Sequence, residues 1–124
     1  MLAQFHAAED SSDIWLTAAA DGLIGVAYLA PERMTVSVWN LQLIAVRPDR
    51  QRAGLGRELL NHVETLVADR GGRLLLVETS GVDEFAYVHS FYRTSGFHEE
   101  ARIRDFYASG DDKVVFRKAL EKSS

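Results

Sequence analysis

The sequence predicts an α+β fold, a mixed β-sheet with helices on its faces, in the order β-β-β-α-β-α-β-β. Three observations lead there. Apolar runs separated by turn residues lie near both ends of the chain and read as hairpins. A strongly amphipathic helix occupies the middle. The strand, helix and strand spanning residues 36 to 77 are long enough for a right-handed parallel crossover, so a parallel centre joins antiparallel ends.

Ile14 to Ala20 and Leu23 to Ala30 are short apolar runs separated by Asp21-Gly22, a hairpin turn pair, and Pro31 ends the second. Thr35 to Val46 is rich in Val, Ile, Trp and Thr and reads as a long strand stopped by Pro48. From Gly54 to Arg70, Leu55, Leu59, Val63, Leu66 and Val67 recur at helical spacing opposite Arg57, Glu58, Asn61, Glu64 and Asp69. Gly71-Gly72 terminates that helix. Leu74 to Val77 is an unbroken apolar run, the pattern of a central strand covered on both faces. Phe85 to Ser95 reads as a shorter helix closed by Gly96. Ala101 to Tyr107 and Lys113 to Lys118 read as a second hairpin around Ser109-Gly110-Asp111-Asp112. No repeat or flexible linker interrupts the chain, so residues 1–124 are expected to form one domain.

Composition narrows the function classes. The 124 residues are 47% hydrophobic and 26% charged, which is globular usage. Cysteine is absent, which excludes disulfides, thiolate catalysis and cysteine-rich zinc sites. No apolar run is long enough to span a bilayer, and Met1 to Asp13 lacks the basic start and apolar core of a signal peptide. A soluble, cytoplasmic protein without a membrane partner is the expectation. A net charge of −4 argues against nucleic acid, whose binding proteins carry a basic face, and suits a small cationic partner.

The strongest local signal is Gln51-Arg52-Ala53-Gly54-Leu55-Gly56, between a strand and an amphipathic helix. A helix N-terminus leaves up to four backbone N–H groups without partners and carries a positive partial charge, so it suits a phosphate. Glycine lets the backbone approach such a ligand. A plain strand-to-helix turn would account for the glycines alone. Arg47, Arg50, Arg52 and Arg57 add a reason to expect an anion, because cations at a helix N-terminus oppose the helix dipole. A dinucleotide-binding fingerprint would need a third glycine where Leu59 stands, and a P-loop would need Gly-Lys-Ser/Thr.

Here the chain resembles the GNAT N-acetyltransferase superfamily, whose pyrophosphate loop follows Q/R-x-x-G-x-G/A, matched by Gln51, Gly54 and Gly56. Leu43 to Arg50 is similar to the family's fourth strand and the turn leaving it. Phe91-Tyr-Arg-Thr-Ser-Gly-Phe97 is similar to its Tyr-x-x-x-Gly-Phe segment. The resemblance covers about residues 14 to 120 and implies acetyl-CoA as cosubstrate, with acetyl transfer to an amine. It implies that Ile44, Ala45 and Val46 bind the pantetheine arm through backbone groups and polarise the thioester carbonyl. It implies that Gln51, Arg52, Ala53, Gly54, Leu55, Gly56 and Arg57 hold the pyrophosphate. Phe91 and Tyr92 would border the cofactor, with Tyr92 as general acid toward the departing thiolate. A tyrosine on an amphipathic helix is also an ordinary core or rim residue.

Some family members carry a glutamate base on the fourth strand, where this chain has Asn40. Glu78, at the end of the central strand, is the first substitute and Asp105 the second, since active-site side chains gather at strand ends in open α/β sheets. Both are also ordinary solvated positions, and a chain of waters could serve instead. His62 and His98 read as surface residues, and His89 could face the site. No metal site is suggested.

The family usually opens with a strand and two helices that wall the acceptor site, and residues 1–13 are too short to supply them. An unusually open acceptor site is expected, or one completed by another copy of the chain in a homodimer. The segment Arg102 to Tyr107 with Gly110-Asp-Asp-Lys113 combines charge and aromatic rings, a pattern that hairpin solubility or acceptor selection would each explain. The competing function is a catalytically weak acyl-CoA-binding sensor or interaction module.

Overall fold

The computed structural model describes residues 3–10, 12–51 and 54–120. The strands are β1 (Gln4–Asp10), β2 (Asp13–Ala19), β3 (Leu23–Pro31), β4 (Val38–Val46), β5 (Leu74–Ser80), β6 (His98–Ala108) and β7 (Asp111–Ala119). The helices are α1 (Leu55–Asp69) and α2 (Ala86–Thr94), with 3-10 turns at Pro48–Arg50 and Asp83–Phe85. One sheet holds the strands in the order β1-β2-β3-β4-β5-β7-β6. Only β4 and β5 pair in parallel.

Strand residues alternate between faces, and burial here separates the two cleanly. Ile14, Leu16, Ala27, Leu29, Leu75, Val77, Val114 and Phe116 form one face and are at most 2% exposed. Both helices cover that face. Helix α1 contributes Leu59, Leu60, Val63 and Val67, while α2 contributes Tyr92 and the turn after it Phe97 to the same core. The shared face follows from connectivity: β4 to β5 and β5 to β6 move in the same direction across the sheet, and right-handed crossovers in one direction put their helices on one side. Among the described residues no helix covers the opposite face. There Trp15 stacks on Tyr28 at 4.4 Å, and Trp15 and Leu43 remain 39% and 43% exposed.

Three expectations need correction. A strand precedes residue 13: β1 pairs with β2 from Gln4↔Ala19 to Asp10↔Asp13, turning directly into it with no intervening helix. Only Phe5 and Ala7 of this strand pack toward the core, with Phe5 stacked on His62 at 3.8 Å, so its apolar signal is thin. The strand expected from Thr35 starts at Val38. Residues 34 and 37 have φ of 60°, and the Thr35 hydroxyl bonds the Glu32 carbonyl at 2.9 Å, so the β-prone residues lie in a turn. The order is therefore β-β-β-β-α-β-α-β-β.

Helix α1 stops as expected. The Gly72 N–H bonds the Val67 carbonyl at 2.8 Å, and a Cβ on Gly72 would lie 2.3 Å from Val67 Cγ1 and 3.0 Å from Trp39 Cδ1. Only glycine permits that approach. The register of β3 against β4 skips one residue: Leu29 faces Leu41 and Tyr28 faces Leu43, leaving Gln42 as a β-bulge. The bulge reverses the alternation, so Trp39 and Leu41 before it and Ile44 and Val46 after it all pack toward the helix-side core.

Candidate active site

Strands β4 and β5 pair only from Val38↔Leu74 to Leu41↔Val77. Beyond that point β4 follows β3 as far as Val46, while β5 follows β7 as far as Ser80. The bulge at Gln42 sits where they part. Between them opens a cleft of about 1050 Å³, bordered by the unpaired edge of β4, the start of α1, the inner side of α2 and the end of β5.

The helix side of this cleft is built of backbone and apolar contact. Helix α1 begins after Gly54, whose φ of 78° is left-handed, and its first i to i−4 bond runs from the Glu58 N–H to the Gly54 carbonyl. The N–H groups of Leu55, Gly56 and Arg57 are left without intrahelical acceptors. Nothing lies within 4 Å of the place a Cβ on Gly54 would occupy, so the loop is open there. Gly56 faces Phe91 and Val46 across the cleft, and the Gln51 side-chain amide donates to the Val46 carbonyl at 3.1 Å, tying the loop to the end of β4. Tyr92 is 3% exposed, ringed by Phe91, Phe97 and Phe116 at centroid distances of 5.3 to 5.8 Å. Burial pushes its phenol well above the ordinary tyrosine value, so it stays protonated at neutral pH. Tyr92 lines the cleft, and its hydroxyl, which bonds no other described residue, is not sealed away from it.

The other side is a charge network on the helix-free face. Glu78 lines the cleft with both carboxylate oxygens engaged, Oε1 by Lys113 Nζ at 2.9 Å and Oε2 by Asn40 Nδ2 at 3.0 Å. Asn40, 4% exposed, also donates to Glu32 Oε1 at 2.7 Å and so joins two carboxylates. Tyr107, Ser80 and Asp111 complete this wall, and the Ser80 hydroxyl donates to Asp111 Oδ1. Partial burial and the nearby Glu78 carboxylate raise the Tyr107 phenol.

Of the residues singled out in the sequence, Ile44, Ala45, Val46, Gln51, Gly56, Glu78, Phe91 and Tyr92 come together around the cleft. Leu55 is 5% exposed and its side chain belongs to the core, which leaves only its backbone for a ligand. Arg52 and Ala53 lie outside the described residues. The expected crowd of arginines at the helix start is thinner than the sequence suggests. Arg47 forms a paired hydrogen bond with Asp49 at 2.7 and 3.0 Å, which raises the guanidinium and lowers the carboxyl. Arg57 turns to the Thr94 carbonyl and hydroxyl at 3.4 and 3.2 Å.

Asp105 does not border the cleft. Its φ is 56°, its Oδ1 accepts the Gly110 N–H at 2.8 Å and its own N–H donates to Asp112 Oδ1 at 3.0 Å, so its carboxylate locks the β6–β7 turn. His89 is buried, with Nε2 2.8 Å from the Ser80 carbonyl, and supports the end of β5 from behind. Tyr107 and Asp111 were visible only as parts of a charged aromatic segment. A register shift between Ile103 and Ala108 decides which of its side chains reach the cleft, and no spacing rule predicts that shift.

Residues 8–99 match the acetyltransferase (GNAT) domain family. Over 70 residues the chain is 37% identical to the ribosomal protein bS18-alanine N-acetyltransferase of Escherichia coli K12. That match covers 56% of this chain and 46% of the relative, so the chain matches less than half of that protein's length. A solved protein from Desulfovibrio desulfuricans assigned to the GNAT family superposes with a TM-score of 0.85 at 40% identity, over 89% of this chain and 70% of that one. A Bacillus subtilis acetyltransferase solved with CoA superposes with a TM-score of 0.84 at 19% identity, over 96% and 99% of the two chains, a likeness of fold.

Proposed function

We propose that this chain, which belongs to the GNAT acetyltransferase family, transfers an acetyl group from acetyl-CoA to an amine by direct attack on the thioester. The observation that carries this reading is the parting of β4 and β5 opposite a glycine-opened helix start, with the Tyr92 ring lining the gap between them. The N–H groups at the start of α1 suit the pyrophosphate, and the unpaired edge of β4 from Ile44 to Val46 suits the pantetheine amides. Gln51 positions the loop, Gly54 and Gly56 leave it room, and Phe91 borders the arm.

The amine nitrogen attacks the thioester carbonyl carbon, an N–H of β4 stabilises the oxyanion, and the C–S bond breaks as the carbonyl re-forms. Tyr92 gives its proton to the departing thiolate and is reprotonated from solvent. The nitrogen's surplus proton passes to water in the cleft or to Glu78. Taking a proton would discharge the Glu78 carboxylate that pairs with Lys113 and accepts from Asn40, which favours water as the immediate acceptor. The same engagement favours a second reading, a catalytically weak acyl-CoA-binding module.

We read residues 1–124 as one such domain, with a small-molecule, peptide or protein amine as acceptor. No helix among the described residues is long and apolar enough to cross a membrane. A cytoplasmic location fits the cysteine-free chain, and the bare sheet face supports a homodimer as the expected assembly. Acetyl-CoA and coenzyme A should each raise the melting temperature; no shift at millimolar ligand would sink every version of this reading. Free-thiol release across a panel of amines then separates enzyme from sensor, since binding without turnover identifies the module.

A further inference from the structure

The carboxylates around the cleft are not equivalent. Glu78 is paired with Lys113, and Asp112, on the neighbouring strand position, is paired with Arg102 at 2.9 Å. Asp111 lines the cleft between them with no ion-pair partner among the described residues; its Oδ1 accepts from the neutral Ser80 hydroxyl. Beside it stands Tyr107, 46% exposed, and across the opening Tyr87 is 74% exposed. Aromatic faces attract cations, and the β6–β7 hairpin that carries Tyr107 and Asp111 already shows the contact: Lys113 Nζ lies 4.4 Å from the centre of the Phe106 ring. The surroundings are acidic. Glu32 reaches the site through Asn40, and Asp83 and Glu84 precede Phe85 at the rim, while the nearby cations Lys113 and Arg102 are already paired with Glu78 and Asp112.

A reacting nitrogen must be unprotonated to attack, so a fixed negative charge there serves attack poorly. Such a charge serves a second group of the acceptor well. Tyr92 marks where reaction occurs, its buried ring lining the same cleft as Asp111 but on the helix side of the sheet.

We propose that Asp111, with Tyr107 beside it, receives a second positive charge of the acceptor, so that the preferred substrate is an amine carrying another cationic group. This rests on the acetyltransferase reading above. Asp111 acts as a specificity-determining residue, touching a part of the acceptor remote from the new N–acetyl bond.

Thiol release from acetyl-CoA is measured with two matched pairs, 1,4-diaminobutane against n-butylamine, and a short peptide with lysine at its second position against the same peptide with norleucine. A preference of about tenfold in kcat/KM for the charged member is expected in at least one pair, as for a hydrogen-bonded contact between charges. The pair that shows it says whether the acceptor is a small polyamine or a basic peptide. The preference should shrink as salt is raised and fall toward unity in Asp111→Asn. Equal rates within both pairs overturn the proposal while leaving the acetyltransferase reading intact. A preference that survives in folded Asp111→Asn overturns the role of Asp111. Binding of acetyl-CoA without transfer to any amine overturns the reading and the inference together.

Discussion

On the helix side of the cleft, Gly56, Val46 and Phe91 meet through apolar contact, and what they offer a ligand is backbone N–H groups and an unpaired strand edge. On the other side, Glu78, Lys113, Asn40 and Glu32 hold one another by ion pair and hydrogen bond on a sheet face that no helix covers among the described residues. The first wall depends on chain path and tolerates many side chains provided the path is kept. The second depends on particular side chains. Recognition of a constant cosubstrate suits the first arrangement, and choice among acceptors suits the second.

The sharpest break between the two walls comes from Tyr92→Phe. Turnover should fall by about 10²-fold, the usual worth of a positioned acid, while acetyl-CoA binding measured by calorimetry stays within twofold of wild type. Equal turnover would remove the hydroxyl from the chemistry. Next in size is Gly54→Val, which forces a β-branched residue to adopt a φ of 78° at a cost of roughly 1–2 kcal/mol. Acetyl-CoA should bind about tenfold more weakly, with acceptor preference among bound complexes unchanged. Glu78→Gln should do the reverse. Losing the pair with Lys113 destabilises by about 1 kcal/mol and raises the acceptor KM, with acetyl-CoA affinity kept; a change in cosubstrate affinity instead would dissolve the distinction between the walls.

The smallest effect concerns alkaline stability. Tyr92 in the folded protein holds its proton above the ordinary phenol value of about 10, while the unfolded chain loses it there. Stability from this group is therefore whole below about pH 10 and declines as pH rises further toward the folded value. Melting temperatures followed upward from pH 9 should fall less steeply in Tyr92→Phe than in wild type.

The two walls also differed in how plainly the sequence announced them. Gly54, Gly56 and the periodic leucines and valines of α1 are local signals, and they placed the loop and helix within a residue of where they stand. Tyr92 was reached through the spacing to Gly96 and Phe97. On the other wall, Asn40 and Lys113 lie 73 positions apart and meet only because β4, β5 and β7 are neighbours in the sheet. In the sequence Asp105 was a candidate base and Asp111 only part of a charged hairpin segment, whereas in the fold a positive φ makes Asp105 the hairpin lock and Asp111 reaches the cleft. β1 escaped because five of its seven residues are polar or alanine outside the packed pair Phe5 and Ala7.

Gln42 makes no hydrogen bond through its side chain among the described residues, and a substitution there would look harmless. Removing it would not be. With one residue fewer, Leu41, Leu43 and Ile44 would face Leu29, Tyr28 and Ala27 in an unbroken ladder with the same side chains inward, but the bend that the bulge gives β4 where it parts from β5 would be lost. At this place in the chain, inheritance constrains a count of residues rather than their chemistry, and a single-codon deletion would cost more than any exchange of letters.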